Sequence, residues 1–262
     1  MKIADIHAHI FPDALAEKAT ASICSFYSAP VPERPASLSG LLREHALAGI
    51  ETGVLCNSAV NAAQVHNINN FIADSIRQHP QYIGFGSVFP GMDGVEAELD
   101  RMLELGIRGV KIHPDFQKLA IDDPCGIETY RAISKRGMPV LFHMGDARYD
   151  YSTPQRLENL LRQVPDLRAI AAHFGGWQVW EQAFSHPLPE QVFYDTSSTT
   201  PMVPKELVLK MLDGYGIDRM IFGSDFPMWK PPEMVAQIRA LGLSQTEEEK
   251  LFYGNFAKFF GL

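Results

Sequence analysis

Two histidines near the start of the chain have a spacing that suits a metal ion. His7 and His9 lie in the apolar segment 2–9 with one residue between them. Side chains at positions i and i+2 of a β-strand point to the same side, so both imidazoles can converge on one ion. Neutral imidazole suits a borderline divalent metal, with zinc as the default and iron, manganese or cobalt as alternatives. The pair therefore predicts a metal site.

Eight short apolar segments of the same kind alternate with longer helical patterns. The segments are 2–9, 52–59, 82–89, 109–113, 139–143, 168–173, 192–196 and 220–225, and helical patterns include 64–79, 95–105, 127–136, 155–163 and 205–212. Repeated βα units of this number favour a (β/α)₈ TIM barrel, here a single domain over 1–262 with a final helix at about 246–260 covering the outside. A doubly wound sheet would place a glycine-rich phosphate loop after the first strand, where the chain reads HAHIFP. The proline-rich stretch 30–35 is interpreted as an excursion of an active-site loop.

The barrel would bring distant polar residues to one face. His113, His143 and His173 end the fourth, fifth and sixth segments, and Asp225 ends the eighth, which neighbours the first in a closed barrel. We expect His7, His9, His143 and Asp225 to hold the metal and to leave a position open for water or substrate. Such an ion lowers the pKa of its bound water toward about 7 and polarises a carbonyl oxygen. His173 is then a general acid/base or a ligand of a second ion, and Asp225 is an alternative base.

Basic residues near this face predict contacts to a substrate. Lys111 lies two residues before His113, and a charged lysine in a barrel mouth is costly unless it meets an anion. Substrate contact is the preferred interpretation of Lys111, with a buried ion pair as the alternative, and His113 is a substrate contact, an orienting residue or a ligand. Arg148, Trp177 and residues 114–117 are expected to contribute to specificity from loops.

The composition excludes several other classes of protein. The net charge of −8 disfavours nucleic-acid and anionic-membrane partners. No apolar run is long enough to span a bilayer and Asp5 interrupts the start of the chain, so a cytoplasmic protein without a membrane partner is expected. The other histidines, His45, His66, His79 and His186, are expected on the surface. The phenylalanine-rich last helix is expected to pack in the core or an interface, which makes a homodimer reasonable.

Six motifs, in this order, resemble the amidohydrolase superfamily, and within it the branch of small barrel proteins that includes aminocarboxymuconate-semialdehyde decarboxylase. They are DIHAHIFP at 5–12, GVKIHP at 109–114, PVLFHMG at 139–145, AAHFGG at 171–176, FGSDFP at 222–227 and GNFAKFFGL at 254–262. The resemblance implies a metal-dependent barrel enzyme with His7, His9, His143 and Asp225 as ligands and His173 as an acid/base or second-metal ligand. In two-metal members a carboxylated lysine or a glutamate bridges the ions at the end of the fourth strand. Lys111 occupies a similar place, but His113 is not part of that pattern.

Three hypotheses follow for the function. The first is a metal-dependent hydrolase in which a water deprotonated by Asp225 or His173 attacks the carbonyl of a small, carboxylate-bearing amide, lactone or ester. The second is a metal-dependent non-oxidative decarboxylase of a small unsaturated or aromatic acid. The third is a metal-binding barrel without catalytic activity. A fold-level resemblance does not choose among them.

Overall fold

The computed structural model describes residues 1–262 and contains one eight-stranded parallel sheet in the order β1 to β8. The strands are β1 (Ala4–His9), β2 (Thr52–Cys56), β3 (Tyr82–Gly86), β4 (Gly109–Ile112), β5 (Val140–Phe142), β6 (Ala169–Ala171), β7 (Phe193–Asp195) and β8 (Met220–Ile221). The barrel closes where Ile6 N donates to Phe222 O at 2.9 Å and Asp225 N donates to His7 O at 2.8 Å. The predicted (β/α)₈ fold is confirmed.

Helices surround the strands. They are α1 (Asp13–Tyr27), α2 (Leu38–Ala48), α3 (Ala62–Gln78), α4 (Val95–Glu104), α5 (Pro114–Gln117), α6 (Ile127–Lys135), α7 (Pro154–Gln163), α8 (Trp180–Ser185), α9 (Lys205–Tyr215), α10 (Pro231–Ala240), α11 (Gln245–Glu249) and α12 (Asn255–Phe260). Short 3₁₀ turns occur at Pro124–Gly126, His173–Gly175 and Ile217–Arg219, and a π-helical turn, Lys250–Gly254, joins α11 to α12. None of these helices combines the length and the apolar character that crossing a bilayer requires.

A β-bulge in β1 determines which of its residues face the inside of the barrel. The pairing of β1 with β2 shifts register between Asp5 and Ala8. Ile6 belongs to the apolar cluster inside the barrel and Ala8 to the cluster between strands and helices. The extra residue lets Ile6 and His7, although consecutive, both face inward. His9 then follows on the same side as His7.

The last helix covers the amino-terminal end of the barrel, so the expected covering helix lies across one end of the strands and not along their outer surface. Phe256, Phe259 and Phe260 are buried in the cluster inside the barrel, together with Ile6 and Phe85. The carbonyls of Phe259 and Phe260 accept hydrogen bonds from Arg168 and Arg108, which precede β6 and β4. Three aromatic rings close the amino-terminal end of the barrel because burial there removes them from water on all sides, which a position on the outer surface would not do. With these rings buried, the argument for a homodimer through this helix no longer holds.

The first βα connection contains the 15-residue helix α1 before the proline-rich stretch 30–35, and no sequence pattern had predicted this helix. One other sequence expectation is wrong. His45, expected on the surface, is only 1% exposed. Its Nδ1 lies 2.9 Å from Tyr82 Oη and its Nε2 lies 3.1 Å from Asp5 Oδ2. A helical periodicity places a residue on a face of the helix but does not show that the neighbouring strands carry polar partners for it.

Candidate metal centre and substrate cavity

Three ligand atoms converge at the carboxyl end of the barrel. His7 Nε2 lies 3.1 Å from His9 Nε2, and Asp225 Oδ1 lies 3.5 Å from each of them. A tetrahedral zinc ion with bonds of about 2.0–2.2 Å separates its ligand atoms by roughly 3.3–3.6 Å. The spacing of these three atoms therefore fits one divalent ion, and two imidazoles with a carboxylate are an ordinary donor set for such an ion.

Asp5 connects the strands that carry these ligands. Its Oδ1 accepts hydrogen bonds from His7 N at 3.0 Å and Ser224 N at 2.9 Å, and its Oδ2 accepts from Ser224 Oγ at 2.5 Å. Asp225 follows directly with a left-handed backbone, φ 61°, an uncommon conformation for a residue with a side chain. One buried carboxylate thus fixes the backbone beside two of the three converging groups.

Asp195 at the end of β7 orients His7. Asp195 Oδ2 lies 2.8 Å from His7 Nδ1, and since an ionised carboxylate only accepts hydrogen bonds, Nδ1 carries the proton. The lone pair of His7 is then on Nε2, the atom that faces His9 and Asp225. A carboxylate behind a ligating histidine is the usual means of fixing its tautomer and ring orientation.

Hydrogen bonding also holds Asp225 so that its Oδ1 faces the ligand atoms of His7 and His9. Its Oδ2 accepts a hydrogen bond from Ser198 Oγ, which in turn accepts one from Trp229 Nε1 at 2.9 Å. Burial alone would raise the pKa of Asp225, but the facing His7 and His9 lower it well below its usual value. The side chain is therefore a carboxylate, the form that can hold a cation.

Burial keeps most of the imidazoles in the neutral, ligating form. The pKa of His7 is lowered by burial and by the nearby Lys111, and the pKa of His143 is lowered by burial and by His173. Burial also lowers the pKa of His173 and, together with His143, that of His113. Metal binding to these rings would not require the removal of a proton first.

His143 and His173 form a second pair beside the three converging groups. His143 Nδ1 lies 3.0 Å from His173 Nε2, and His143 Nε2 donates to Gly145 O at 2.9 Å. His173 has a left-handed backbone, φ 59°, and its Nδ1 lies 2.8 Å from Ser197 Oγ. Ser197 Oγ also contacts Asp195 and His7 Nδ1. A continuous hydrogen-bonded chain therefore runs from His143 through His173, Ser197 and Asp195 to His7.

The two basic residues predicted to bind substrate occupy different surroundings. Lys111 is fully buried, with Nζ 3.0 Å from His7 Nε2, and burial lowers its pKa although Cys56, Asp195 and Asp225 oppose that effect. Arg148 lies at the rim, where it pairs with Asp146 at 2.7 Å and stacks 4.5 Å above the ring of Phe26. The structure brings Lys111, but not Arg148, to the converging ligand atoms.

His113 lies just beyond β4 and belongs to a cluster of its own. Its ring stacks on Phe116 at 3.6 Å and on His143 at 3.9 Å, and its Nε2 lies 2.6 Å from Tyr27 Oη. With Asp115 and His143 it forms one of three further groups of potential metal ligands, in which Asp115 Oδ1 is buried without a hydrogen-bond partner. Burial raises the pKa of Asp115 to about 6.

A cavity of about 830 Å³ leads from the surface to this centre. At its inner end it is lined by His9, His113, His143 and Asp225, and its walls come largely from α1 and from the start of α3. Residues of α1 on this wall recur at helical spacing, namely Leu15, Lys18, Ala19, Ser22, Ile23, Phe26 and Tyr27. Leu15 is 54% exposed, so part of the apolar face of this helix is turned to the cavity rather than to the core.

Sequence reasoning did not single out Asp5, Asp195, Ser197, Ser198 or Tyr27 as functional residues. The position of Asp195 at the end of a strand is the one signal that could have identified it, since the same rule selected the histidines. Tyr27 has no such signal, because it ends α1, a helix that no sequence pattern had predicted, and does not follow a strand.

Comparison with known proteins identifies a family whose model matches nearly the whole chain. A family model described as Amidohydrolase matches residues 4–262. A 2-amino-3-carboxymuconate-6-semialdehyde decarboxylase from Dictyostelium discoideum is 23% identical over 239 residues, which cover 74% of this chain and 66% of the relative. The chain thus spans just under two thirds of that protein's length.

Solved structures share the fold over the whole chain. A Pseudomonas putida protein whose name assigns it as a 2-pyrone-4,6-dicarboxylic acid hydrolase has a TM-score of 0.71 at 18% identity, with 99% of this chain and 97% of that chain covered. A dihydroxybenzoic acid decarboxylase from Polaromonas, solved with manganese and 2-nitroresorcinol, has a TM-score of 0.74 at 14% identity, with 100% and 97% covered. At these identities the likeness concerns the fold, and it includes both hydrolases and decarboxylases.

Proposed function

This chain belongs to the amidohydrolase family and is an enzyme, and we propose that it is a metal-dependent hydrolase of a small, carboxylate-bearing amide, lactone or ester. The observation that carries the proposal is the triangle formed by His7 Nε2, His9 Nε2 and Asp225 Oδ1, with edges of 3.1–3.5 Å, at the inner end of a cavity of about 830 Å³. Ligand-type atoms at that spacing beside a substrate-sized space are what metal-assisted hydrolysis requires.

His7, His9 and Asp225 would hold the ion, and His143 is proposed as the fourth ligand. When bound, a divalent ion polarises a carbonyl oxygen and lowers the pKa of a water molecule at the site. Zinc is our expectation for a site of imidazoles and one carboxylate, and the manganese in the Polaromonas relative makes that ion the first alternative. Iron is the next.

His173 and Asp225 are the groups proposed to move protons. His173 Nε2 lies 3.0 Å from His143 Nδ1, and His173 Nδ1 lies 2.8 Å from Ser197 Oγ, which also contacts Asp195. The positive charge that His173 gains with a proton would therefore be stabilised by Asp195 through Ser197. Asp225 faces the same space through Oδ1, the oxygen that would also hold the ion, because its Oδ2 accepts a hydrogen bond from Ser198. Either residue can take a proton from water, and either can return it to a leaving group.

The substrate would enter along α1 and place its polar end toward the metal centre. Lys111 Nζ lies 3.0 Å from His7 Nε2, on the side of the metal centre, and would favour a carboxylate near the ion. Lys18 and Lys118 line the outer cavity and can meet a second anionic group. Substrate contact by Arg148 would require it to leave Asp146. His113 is proposed to touch substrate from the inner wall.

A decarboxylase is the second candidate. It is favoured by the relative from Dictyostelium discoideum, which is a decarboxylase. In that reaction the same ion would bind a small unsaturated or aromatic acid, and His173 would deliver a proton to the carbon that loses carbon dioxide.

Metal content is the first measurement. Elemental analysis of protein purified without chelators, and again after reconstitution with zinc or manganese, should give about one ion per chain, and His7→Ala should abolish it. About two ions would indicate that the group of His113, Asp115 and His143, or a carboxylated Lys111, also binds metal. No retained ion under either condition would overturn the proposed function.

Turnover then separates the two reactions. The metal-loaded enzyme is assayed with 2-pyrone-4,6-dicarboxylate and other lactones for ring opening, and with dihydroxybenzoates for release of carbon dioxide. Ring opening without gas supports the hydrolase, and gas release without hydrolysis favours the decarboxylase. His173→Asn should reduce either activity by about 10²–10⁴-fold, the usual contribution of a general acid or base.

A further inference from the structure

The phenol of Tyr27 lies at the inner end of the substrate cavity. Tyr27 is the last residue of α1 and lines the cavity together with His9, His113, His143 and Asp225. Its Oη makes one hydrogen bond to the protein, at 2.6 Å from His113 Nε2. The direction of that bond decides whether the phenol still has a proton to give to a substrate.

The surroundings of His113 fix this direction. His113 Nδ1 accepts a hydrogen bond from the backbone N–H of Phe116 at 3.3 Å, so Nδ1 carries a lone pair. The ring proton is therefore on Nε2. Nε2–H then donates to Tyr27 Oη, and the O–H of Tyr27 is left without an acceptor in the protein.

Packing holds this phenol in place. His113 lies between two parallel rings, those of Phe116 and His143, at interplanar angles of 7° and 10°. The ring of Tyr27 meets Trp177 edge-on at 4.8 Å. A donor that is already oriented when substrate arrives needs no reorganisation during the reaction, which is the condition for effective stabilisation of a developing charge.

We propose that Tyr27 donates its hydroxyl proton in a hydrogen bond to the substrate oxygen that gains negative charge beside the metal centre. In hydrolysis this is the carbonyl oxygen of the lactone, ester or amide, and in decarboxylation it is an oxygen of the carboxylate or of the electron-accepting ring. The inference rests on the proposed function and adds to it a catalytic residue outside the strands. It also predicts that the substrate presents an oxygen toward the carboxyl-terminal end of α1.

Tyr27→Phe tests this assignment, since it removes one oxygen and keeps the ring against Trp177. The variant should keep the zinc content and the urea midpoint of the wild type. With 2-pyrone-4,6-dicarboxylate, or with whichever dihydroxybenzoate is turned over, we expect kcat/KM to fall about 10²-fold, as for loss of one oxyanion donor. Tyr149→Phe is the matched control, because Tyr149 lies on the rim, 43% exposed, and should leave both constants unchanged.

Turnover by Tyr27→Phe at the rate of the wild type would overturn the proposal. If the wild type turns over neither substrate class, the proposed function fails, and the role of Tyr27 needs a separate test. Tyr27 is then judged by calorimetric titration of zinc-loaded protein with 2-pyrone-4,6-dicarboxylate. A Kd at least tenfold weaker in Tyr27→Phe supports the donor, whereas equal Kd values, or no binding to the wild type, overturn it.

Discussion

The two ends of the barrel interior use the same strands for opposite purposes. At the amino-terminal end, Ile6 and Phe85 pack against the rings of Phe256, Phe259 and Phe260. One residue further along β1 begins a layer of buried polar groups, each held by hydrogen bonds, that includes His7, Lys111, His173 and Asp195. Burial of apolar side chains stabilises the amino-terminal end. At the polar end each buried group needs a hydrogen-bond partner, because an unpaired buried polar group lowers the stability of the fold.

Because the two layers are separate, we expect that substitutions can change the stability of the fold without changing metal binding or turnover, and the reverse. The bulge between Asp5 and Ala8 marks the boundary on β1, because Ile6 faces the apolar cluster and His7 faces the polar one. Substitutions on the amino-terminal side of this boundary should change the free energy of unfolding, and those on the carboxyl side should change metal affinity and turnover.

The largest expected effect is at the amino-terminal end of the barrel, which the phenylalanine rings close, whereas the carboxyl end is open to the cavity. Phe256→Ala should lower the free energy of unfolding by about 3–5 kcal/mol, because a buried aromatic ring is replaced by a cavity. Urea denaturation measures the loss, and Lys258→Ala, an exposed change in the same helix, should stay within about 0.5 kcal/mol of the wild type. Zinc content per folded chain should be unchanged in both. Loss of zinc from folded Phe256→Ala would show that the two ends are coupled.

At the open end, Asp195→Asn should weaken zinc binding by about 10–100-fold, since the amide holds the Nδ1 proton of His7 less strongly than the carboxylate does. Competition with a chromophoric chelator measures the affinity. Asp166→Asn replaces an exposed aspartate away from the site and serves as the control. If Asp195→Asn bound zinc as tightly as the wild type, the orientation of His7 would not depend on Asp195.

The smallest effect is a proton released at the open end. Burial by itself lowers the pKa of His9, but Cys56 and Asp225 outweigh it and raise that pKa to about 9. His7 is already neutral, so zinc has to displace about one proton, that of His9, below pH 9. Apparent affinity should therefore rise about tenfold per pH unit between pH 6 and 8 and level off above about pH 9. Calorimetry in two buffers of different protonation enthalpy counts the proton, and release of two would show that His7 is also charged.

The sequence predicted the barrel and the position of its histidines because both depend on local signals. The apolar segments are strands, and His113, His143, His173 and Asp225 lie just beyond strand ends, so a rule about strand ends was sufficient. The convergence of His7 and His9 follows from their spacing alone. Their role as metal ligands stays a prediction until the metal content is measured.

Contacts between distant segments could not be predicted in the same way. Tyr27 meets His113 across 86 residues, and Asp195 meets His7 across 188. Neither pair has a periodicity or a motif that joins its members, and each depends on how α1 and β7 are placed around the barrel. His45 shows the same limit, since its burial depends on Asp5 and Tyr82 in two separate strands.

The hydrogen bonds from Ser224 to Asp5 have a consequence for the order of folding. They join residues 219 positions apart and lie between two of the proposed ligands. Contacts of such long sequence separation form late, because the entropy of closing so large a loop is lost before the contact is gained. A chain in which the last strand has not yet met the first could not bring His7 and Asp225 together. The rate at which refolding protein acquires tight zinc binding should therefore report the closure of the barrel itself.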